Sequence, residues 1–245
     1  MKKNALALYC LISLPLAALK GQSLNHTPMV TLRKPLVSVG IKAGFNSSMF
    51  FTDQLNIGGK EVTDVQNNYK VGYFAAVFCR FNLKKHHFIQ PELSYNISKG
   101  SIAVENTPEN SELIPDNALI KTSITSIDFP ILYGYKFVDV HPYGMAFFVG
   151  PKIAYLWKHQ TKNDYSGFYQ KEIREEFHPW NYSAVIGLAV NVSNIFFDFR
   201  YEAALHSMTR SVTYNRKATE SPYNEYDLLV KRRYNTLSFS VGVIF

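Results

Sequence analysis

The chain has 245 residues, with 26 basic against 19 acidic side chains, 15% aromatic residues and only 18% charged ones. That length holds one domain or at most two. The basic residues form no tract interleaved with aromatics, which excludes a nucleic-acid partner, and the aromatic content is high for a soluble domain.

Residues 1–21 have the features of a secretory signal peptide. Lys2 and Lys3 precede an apolar stretch over 5–19, and Leu19-Lys20-Gly21 places a small residue before Gln22. Cys10 lies inside the apolar stretch behind bulky Tyr9, which does not fit a lipoprotein site. Processing leaves Cys79, which can form no internal disulfide and reads as an inert apolar-like position. Lys2, Lys3 and Lys20 leave with the signal, so the mature balance is only mildly basic. Beyond the signal no run of about eighteen apolar residues occurs, which excludes helical membrane spans. A barrel stays open, because its strands alternate and hide from hydropathy.

A polar lead-in over 22–35 belongs on the periplasmic side, and residues 36–245 form the barrel. In the first strand Val37, Val39, Ile41, Ala43 and Phe45 alternate with small or polar residues. Side chains of a strand point to opposite faces with period two, so this strand has one apolar face. Residues 51–68, with Gly58-Gly59, read as a loop. The second strand, 70–81, sets Val71, Tyr73, Ala75 and Val77 against Lys70, Gly72, Ala76 and Arg80, but Phe74 and Phe78 sit on its polar side. After a turn at 82–86 the third strand runs 87–98, and Pro91 argues for a bulge there because it cannot donate to a ladder.

A loop reaches to about Leu119. The fourth strand, 127–137, turns Ile127, Phe129, Ile131 and Tyr133 outward. Upstream, Ile120, Thr122 and Ile124 have the opposite parity, so either a bulge lies near Thr125-Ser126 or the membrane part begins only at Ile127. A tight connection at 138–141 leads to the fifth strand, 143–155. The stretch 157–180 is long and polar. The sixth and seventh strands, 181–192 and 195–206, are joined by a hairpin turn at Ser193-Asn194. A loop over 207–233 precedes the last strand, where Leu237, Phe239, Val241, Val243 and Phe245 share one face and Ser238, Ser240 and Gly242 the other.

The connections alternate long and short, and apolar residues gather on the outward face with Gly, Ala, Ser, Asn and charges inward. A soluble ligand-binding barrel has the reverse. The fold class is therefore all-β: an eight-stranded antiparallel transmembrane β-barrel with short periplasmic turns and long outer loops, surrounded by outer-membrane lipids. The terminal aromatic Phe245 has the form of the signal read by the barrel assembly machinery.

The inward charges are Lys42, Lys70, Arg80, Lys136, Lys152 and Arg200 against Glu92, Asp128, Asp198 and Glu202. An eight-stranded barrel is just wide enough for side chains to fill it, so these groups are expected to pair across the lumen, with Asp128 and Asp198 meeting Lys136, Lys152 or Arg200. An ion path or proton relay is the functional alternative. His206 and Ser207 with nearby carboxylates invite comparison with barrels that modify lipid A, but adjacent residues of a strand face opposite ways, so no catalytic residue is assigned. His86-His87 lacks a Cys or carboxylate cluster and reads as a turn, so no metal or cofactor is expected.

In the outer loops Tyr165, Phe168, Tyr169, Trp180, Tyr214, Tyr223 and Tyr226 form a candidate interaction surface, since interfaces favour Tyr and Trp. Some of them could instead be girdle residues. Lys231, Arg232 and Arg233 could contact lipopolysaccharide phosphates or form a solvated loop base.

Gly40-Ile-Lys-Ala-Gly-Phe-Asn46, Gln90-Pro-Glu-Leu-Ser-Tyr95, Ser126-Ile-Asp-Phe-Pro-Ile-Leu-Tyr133, Pro142-Tyr-Gly with Gly150-Pro151, and Asp198-Phe-Arg-Tyr-Glu202 together resemble the PorT family of outer-membrane barrels of the Bacteroidetes. The resemblance implies a non-enzymatic barrel that supports type IX secretion, the export of cargo proteins across the outer membrane, through contacts with other secretion-system proteins. The alternative is an OmpX-like or OmpA-like barrel serving adhesion or envelope integrity. A lipid A-modifying enzyme is the third reading.

Overall fold

The computed structural model describes residues 35–62, 65–84, 86–108, 111–115, 117–157 and 162–245. The signal peptide expected at 1–21 and all but the last residue of the lead-in lie outside the described residues. The strands are β1 (Val37–Ile57), β2 (Lys60–Glu61), β3 (Val65–Asn82), β4 (His87–Val104), β5 (Ala118–Val140), β6 (Tyr143–Leu156), β7 (Lys162–Ser166), β8 (Arg174–Phe177), β9 (Trp180–Val192), β10 (Ile195–Ala204), β11 (Thr209–Thr213) and β12 (Leu228–Ile244).

Among the described residues, β1, β3, β4, β5, β6, β9, β10 and β12 form a closed antiparallel ring of eight strands. The ring closes where β12 pairs β1, from Gly40↔Ile244 to Ile57↔Leu228. Phe245 completes the seam. Its amide donates to the Val39 carbonyl at 2.7 Å, and its carbonyl accepts from the Val39 amide at 3.2 Å. The short connections β3–β4, β5–β6 and β9–β10 lie at the end that also holds both ends of the ring, which is the periplasmic end of such barrels.

Five wall strands are much longer than the roughly 9–11 residues a membrane needs. β12, β1, β3, β4 and β5 have 17, 21, 18, 18 and 23 residues, whereas β6, β9 and β10 have 14, 13 and 10. The wall is therefore tall on one side and low on the other. The long third and fourth connections fold over the low side: β7 adds to the upper part of β5, and β8 pairs β11 in a separate two-stranded sheet.

Several loops expected from sequence are therefore strand. Residues 51–68 belong largely to β1 and β3, because a register shift between Thr52 and Gln54 flips the parity and turns Leu55 and Ile57 inward. The stretch 157–180 holds β7 and β8, and 207–233 holds β11 and the start of β12. No bulge marks Pro91. The β3–β4 register is the same on both sides of it, with Phe78↔Glu92 and Phe81↔Ile89.

The β4–β5 pairing also runs without a shift from Asp128 to Ala118, so Ile120, Thr122 and Ile124 simply continue the inward face. The first alternative for β5, a bulge near Thr125-Ser126, is not observed, and the outward face turns apolar from Ile127 onward. Above it the rule for the two faces reverses because the solvent changes from lipid to water. β12 shows the reversal in one strand. Its inward residues change from Leu228, Val230 and Tyr234 to Thr236, Ser238 and Ser240, all buried, while its exposed ones change from Lys231 and Arg233 to Leu237, Phe239 and Val241.

The interior is consequently layered. The outer half holds an apolar core that includes Leu55, Ile57, Ile102, Val104, Ile114, Ile120, Phe168, Met208 and Val230. The middle is charged. The periplasmic end is floored by aromatics, where Phe78, Phe88, Phe148 and Phe196 lie directly across the ladder from Gly40, Gly134, Gly187 and Gly242. A Cβ on Gly134 would meet the Phe88 ring at 2.1 Å, and one on Gly187 the Phe148 ring at 2.4 Å, so each ring takes the space that its glycine leaves free.

Candidate functional site

The charged middle layer is drawn from β1, β3, β4, β5, β6 and β10. Strand alternation aims its residues inward, where no water shell can solvate them, so each needs a partner. Glu92 is the hub of one half. It accepts from Lys42 Nζ at 2.9 Å, from Arg200 Nη1 and Nη2 at 3.1 and 3.2 Å, and from Gln90 Nε2 at 2.7 Å. Asp198 accepts from Lys42 Nζ at 2.9 Å and from Arg200 Nε at 3.0 Å, with a further contact to Arg200 Nη2.

The other half centres on Lys152, which donates to Glu202 and, at 3.3 Å, to Asp128 Oδ2. Asp128 also accepts from Ser126 Oγ at 2.6 Å and from Asn96 Nδ2 at 3.2 Å, and Asn96 Oδ1 accepts from Asn46 Nδ2 at 2.7 Å. Of the expected partners, Asp128 thus meets Lys152 and Asp198 meets Arg200; Lys42, outside that expected set, also pairs with Asp198.

Three expected members depart from that pattern. Arg80 faces the lumen but is held by Gln90 Oε1, at 2.6 Å from its Nε, and its guanidinium lies 4.6 Å from the Phe88 ring centre. Lys136 is half-buried near the periplasmic end and donates to Asn82 Oδ1 at 2.8 Å, away from both aspartates. Lys70 is not in the lumen. The β3–β4 register shifts between Tyr69 and Tyr73, and the shift leaves Lys70 exposed on the outer wall.

The luminal set of Lys42, Arg80, Lys152 and Arg200 against Glu92, Asp128, Asp198 and Glu202 sums to zero formal charge. The space left between these groups is a cavity of ≈ 10 Å³. That is about the volume a single water requires.

A second buried ion pair sits in the outer core. Arg232 is 0% exposed and pairs with Glu175 of β8, donating from Nε to its Oε1 at 3.2 Å and from Nη1 to Thr122 Oγ1 at 3.1 Å. Tyr165 Oη, Thr209 Oγ1 and Asn163 Nδ2 also donate to Glu175, at 2.6, 2.7 and 3.2 Å. Burial, and then the Glu175 carboxylate, push the Tyr165 phenol well up, so it stays a donor. This one carboxylate joins β7, β8, β11 and β12, and Arg232 carries the link on to Thr122 of β5.

The expected outer surface is thereby corrected in part. Arg232 and Phe168 are buried in the outer core and offer nothing to a partner. Trp180 starts β9 and stands exposed on the wall, 4.9 Å from the Tyr155 ring, so it belongs to the wall rather than to a loop. Tyr214 secures the fourth connection by donating to the carbonyls of Tyr226 at 2.5 Å and Asn224 at 3.1 Å. Tyr169 and Tyr223 stack at 3.8 Å, with Tyr226 at 5.8 Å from Tyr223, and are only half-buried. Lys231 and Arg233 are exposed on β12.

His206 makes ring contacts with Tyr182 and His178 at 5.6 and 6.1 Å, and Ser207 Oγ donates to the Arg232 carbonyl at 3.1 Å. The serine hydroxyl is thus directed at a backbone oxygen, and among the described residues no base addresses it. Among the described residues no cluster of His, Cys, Asp and Glu could hold a metal. Strand alternation alone does not reveal the aromatic floor or the Arg232–Glu175 pair. The floor has a signal, an inward Phe opposite an inward Gly near a short turn, but the pair joins residues 57 positions apart with no local pattern.

A closed ring of eight strands, apolar outside and ion-paired inside, defines an outer-membrane β-barrel. The family model for the outer membrane protein beta-barrel domain matches residues 25–210, and the chain belongs to that family. Among solved structures it is similar to outer membrane protein OprG from Pseudomonas aeruginosa, at 9% identity over 85% of this chain and 95% of that one, with a TM-score of 0.52. Ail of Yersinia pestis, in complex with the heparin analogue sucrose octasulfate, matches at 11% identity over 86% and 100% of the two chains, TM-score 0.40. Neisserial surface protein A matches at 11% identity over 84% and 96%, TM-score 0.39. No curated protein matches. The protein resides in the outer membrane.

Proposed function

We propose that this protein is a non-enzymatic outer-membrane barrel that acts through the folded surface at its outer end and not through its lumen. The observation that carries this reading is the neutral, ion-paired filling of the lumen, whose residual cavity of ≈ 10 Å³ leaves no path for solutes. Action then falls to the surfaces. The outer one is built to persist, because β7, β8 and β11 are fastened to the wall through Glu175 and close over an apolar core.

The finer reading is support of type IX secretion by contact with other secretion-system proteins. It is supported by the PorT-like motifs and by the stacked Tyr169 and Tyr223 on the outer surface. An adhesion or envelope-integrity barrel would use the same surface. Replacing residues 209–226 with a short Gly-Ser turn should strand cargo in the periplasm at normal barrel abundance, while His206→Ala/Ser207→Ala should leave export intact. Normal export from both would favour the adhesion reading. Failure of the double variant alone would favour an enzyme.

A further inference from the structure

The outer wall carries a group of lysines that neither the lumen nor the outer core uses. Lys70 of β3, Lys99 of β4, Lys121 of β5 and Lys162 of β7 border one open depression of ≈ 550 Å³. All four are exposed. The register explains their convergence: Ser123 lies opposite Lys99 on one side and opposite Lys162 on the other. Two strand spacings therefore separate these two lysines, roughly 10 Å at the backbone. Lys121 sits two residues along β5 on the same face, and Lys70 follows Tyr69, which pairs with Gly100. Asp164 also borders the depression and faces Lys121 across the ladder. Among the described residues none of the four lysines forms an ion pair within 4.0 Å. Like charges gathered in this way repel one another, so packing of the wall does not account for them.

Their position does. Following β3, β4 and β5 toward the periplasmic end, the next outward residues include Tyr73, Ile97, Tyr95, Ile127 and Phe129, which belong to the lipid-facing band. Lys99 Nζ lies 5.9 Å from the Tyr73 ring centre. Lower down, an apolar groove of ≈ 740 Å³ runs from β12 and β1 onto β3 and β4, lined by Val241, Ala43, Ala75, Val77, Leu93 and Tyr95, and it shares β3 and β4 with the lysine cluster. Cations thus stand where the lipid-facing band ends, and on β3 and β4 that band leads down into one side of a groove that suits a hydrocarbon chain.

We propose that this face binds a phosphorylated glycolipid of the outer leaflet, its phosphate held by Lys70, Lys99, Lys121 and Lys162 and an acyl chain in the groove below. A soluble anion would need the lysines and not the groove; a lipid uses both. Basic clusters at a membrane surface select anionic headgroups in this way.

The test uses barrel refolded from denaturant, free of host lipid, in dodecylmaltoside micelles doped with bis-phosphorylated lipid A or with the same lipid after phosphate removal. Native mass spectrometry reads lipid retained per barrel. The phosphorylated form should be retained at least about tenfold better, and Lys70→Gln/Lys99→Gln/Lys121→Gln/Lys162→Gln should erase the preference while preserving the heat-dependent gel shift of a folded barrel. Millimolar inorganic phosphate should not displace the lipid. The proposal fails if wild type retains both lipids equally, which is decisive even if the variant does not refold. It also fails if the quadruple variant keeps the preference, if inorganic phosphate displaces the lipid, or if Lys231→Gln/Arg233→Gln abolishes binding instead.

Discussion

Glu92→Ala should destabilise the barrel by about 3–5 kcal/mol, the cost of removing one partner from a buried charge cluster. Glu92 is the acceptor that Lys42, Arg200 and Gln90 share, and its side chain is 1% exposed. Without it Lys42 and Arg200 have only Asp198, and the lumen carries excess positive charge with no water to screen it. The readout is the urea midpoint of refolded barrel in micelles, followed by the shift in gel migration between unheated and boiled samples. Glu92→Gln separates charge from volume, since it fills the same space and should still lose most of the stability. A loss within about 0.5 kcal/mol for Glu92→Ala would place this carboxylate among solvated surface groups.

Arg232→Ala should have a comparable local effect at the other end of the molecule and little effect on the membrane part. It strands Glu175 in an apolar core, with Tyr165, Thr209 and Asn163 still donating but no cation beside it. A local cost of about 3 kcal/mol raises the population of the opened outer region by roughly a hundredfold. Protease added to intact cells should then cut within 162–179 or 205–227 at least that much faster, while the gel shift of the barrel stays unchanged. Equal protection of variant and wild type would mean that the outer strands do not depend on this pair.

Most of the wall is legible in the sequence because the lipid zone obeys one rule with period two. Val37 to Phe45 and Leu237 to Phe245 show it directly. The rule carries an assumption about solvent, and it inverts where lipid ends. Leu228, Val230 and Tyr234 are inward for the same reason that Leu237 and Phe239 are outward: each apolar side chain avoids water. Read under the lipid rule alone, residues 51–68 and 207–233 look like loops.

Bulges are the second obstacle. A single shift near Lys70 moves it from the expected lumen to the wall, and no residue type announces the shift. The luminal charges were accessible to reasoning because burial compels pairing, yet the pairing itself required geometry. Arg80 shows the limit: Gln90 and the Phe88 ring hold its guanidinium in place of the carboxylate that charge counting assigns to it. Arg232 shows it again, since a run of three basic residues before a strand reads as a surface patch until the middle one proves to face the core.

The claim that the lumen is closed is tested most directly by electrical recording. Refolded barrel inserted into a planar lipid bilayer should give no stepwise conductance above background in molar potassium chloride, with insertion verified by protease protection of the wall strands. Reproducible channels of defined size from the wild-type barrel would contradict the account, because the ion-paired layer and the aromatic floor beneath it leave no continuous water path.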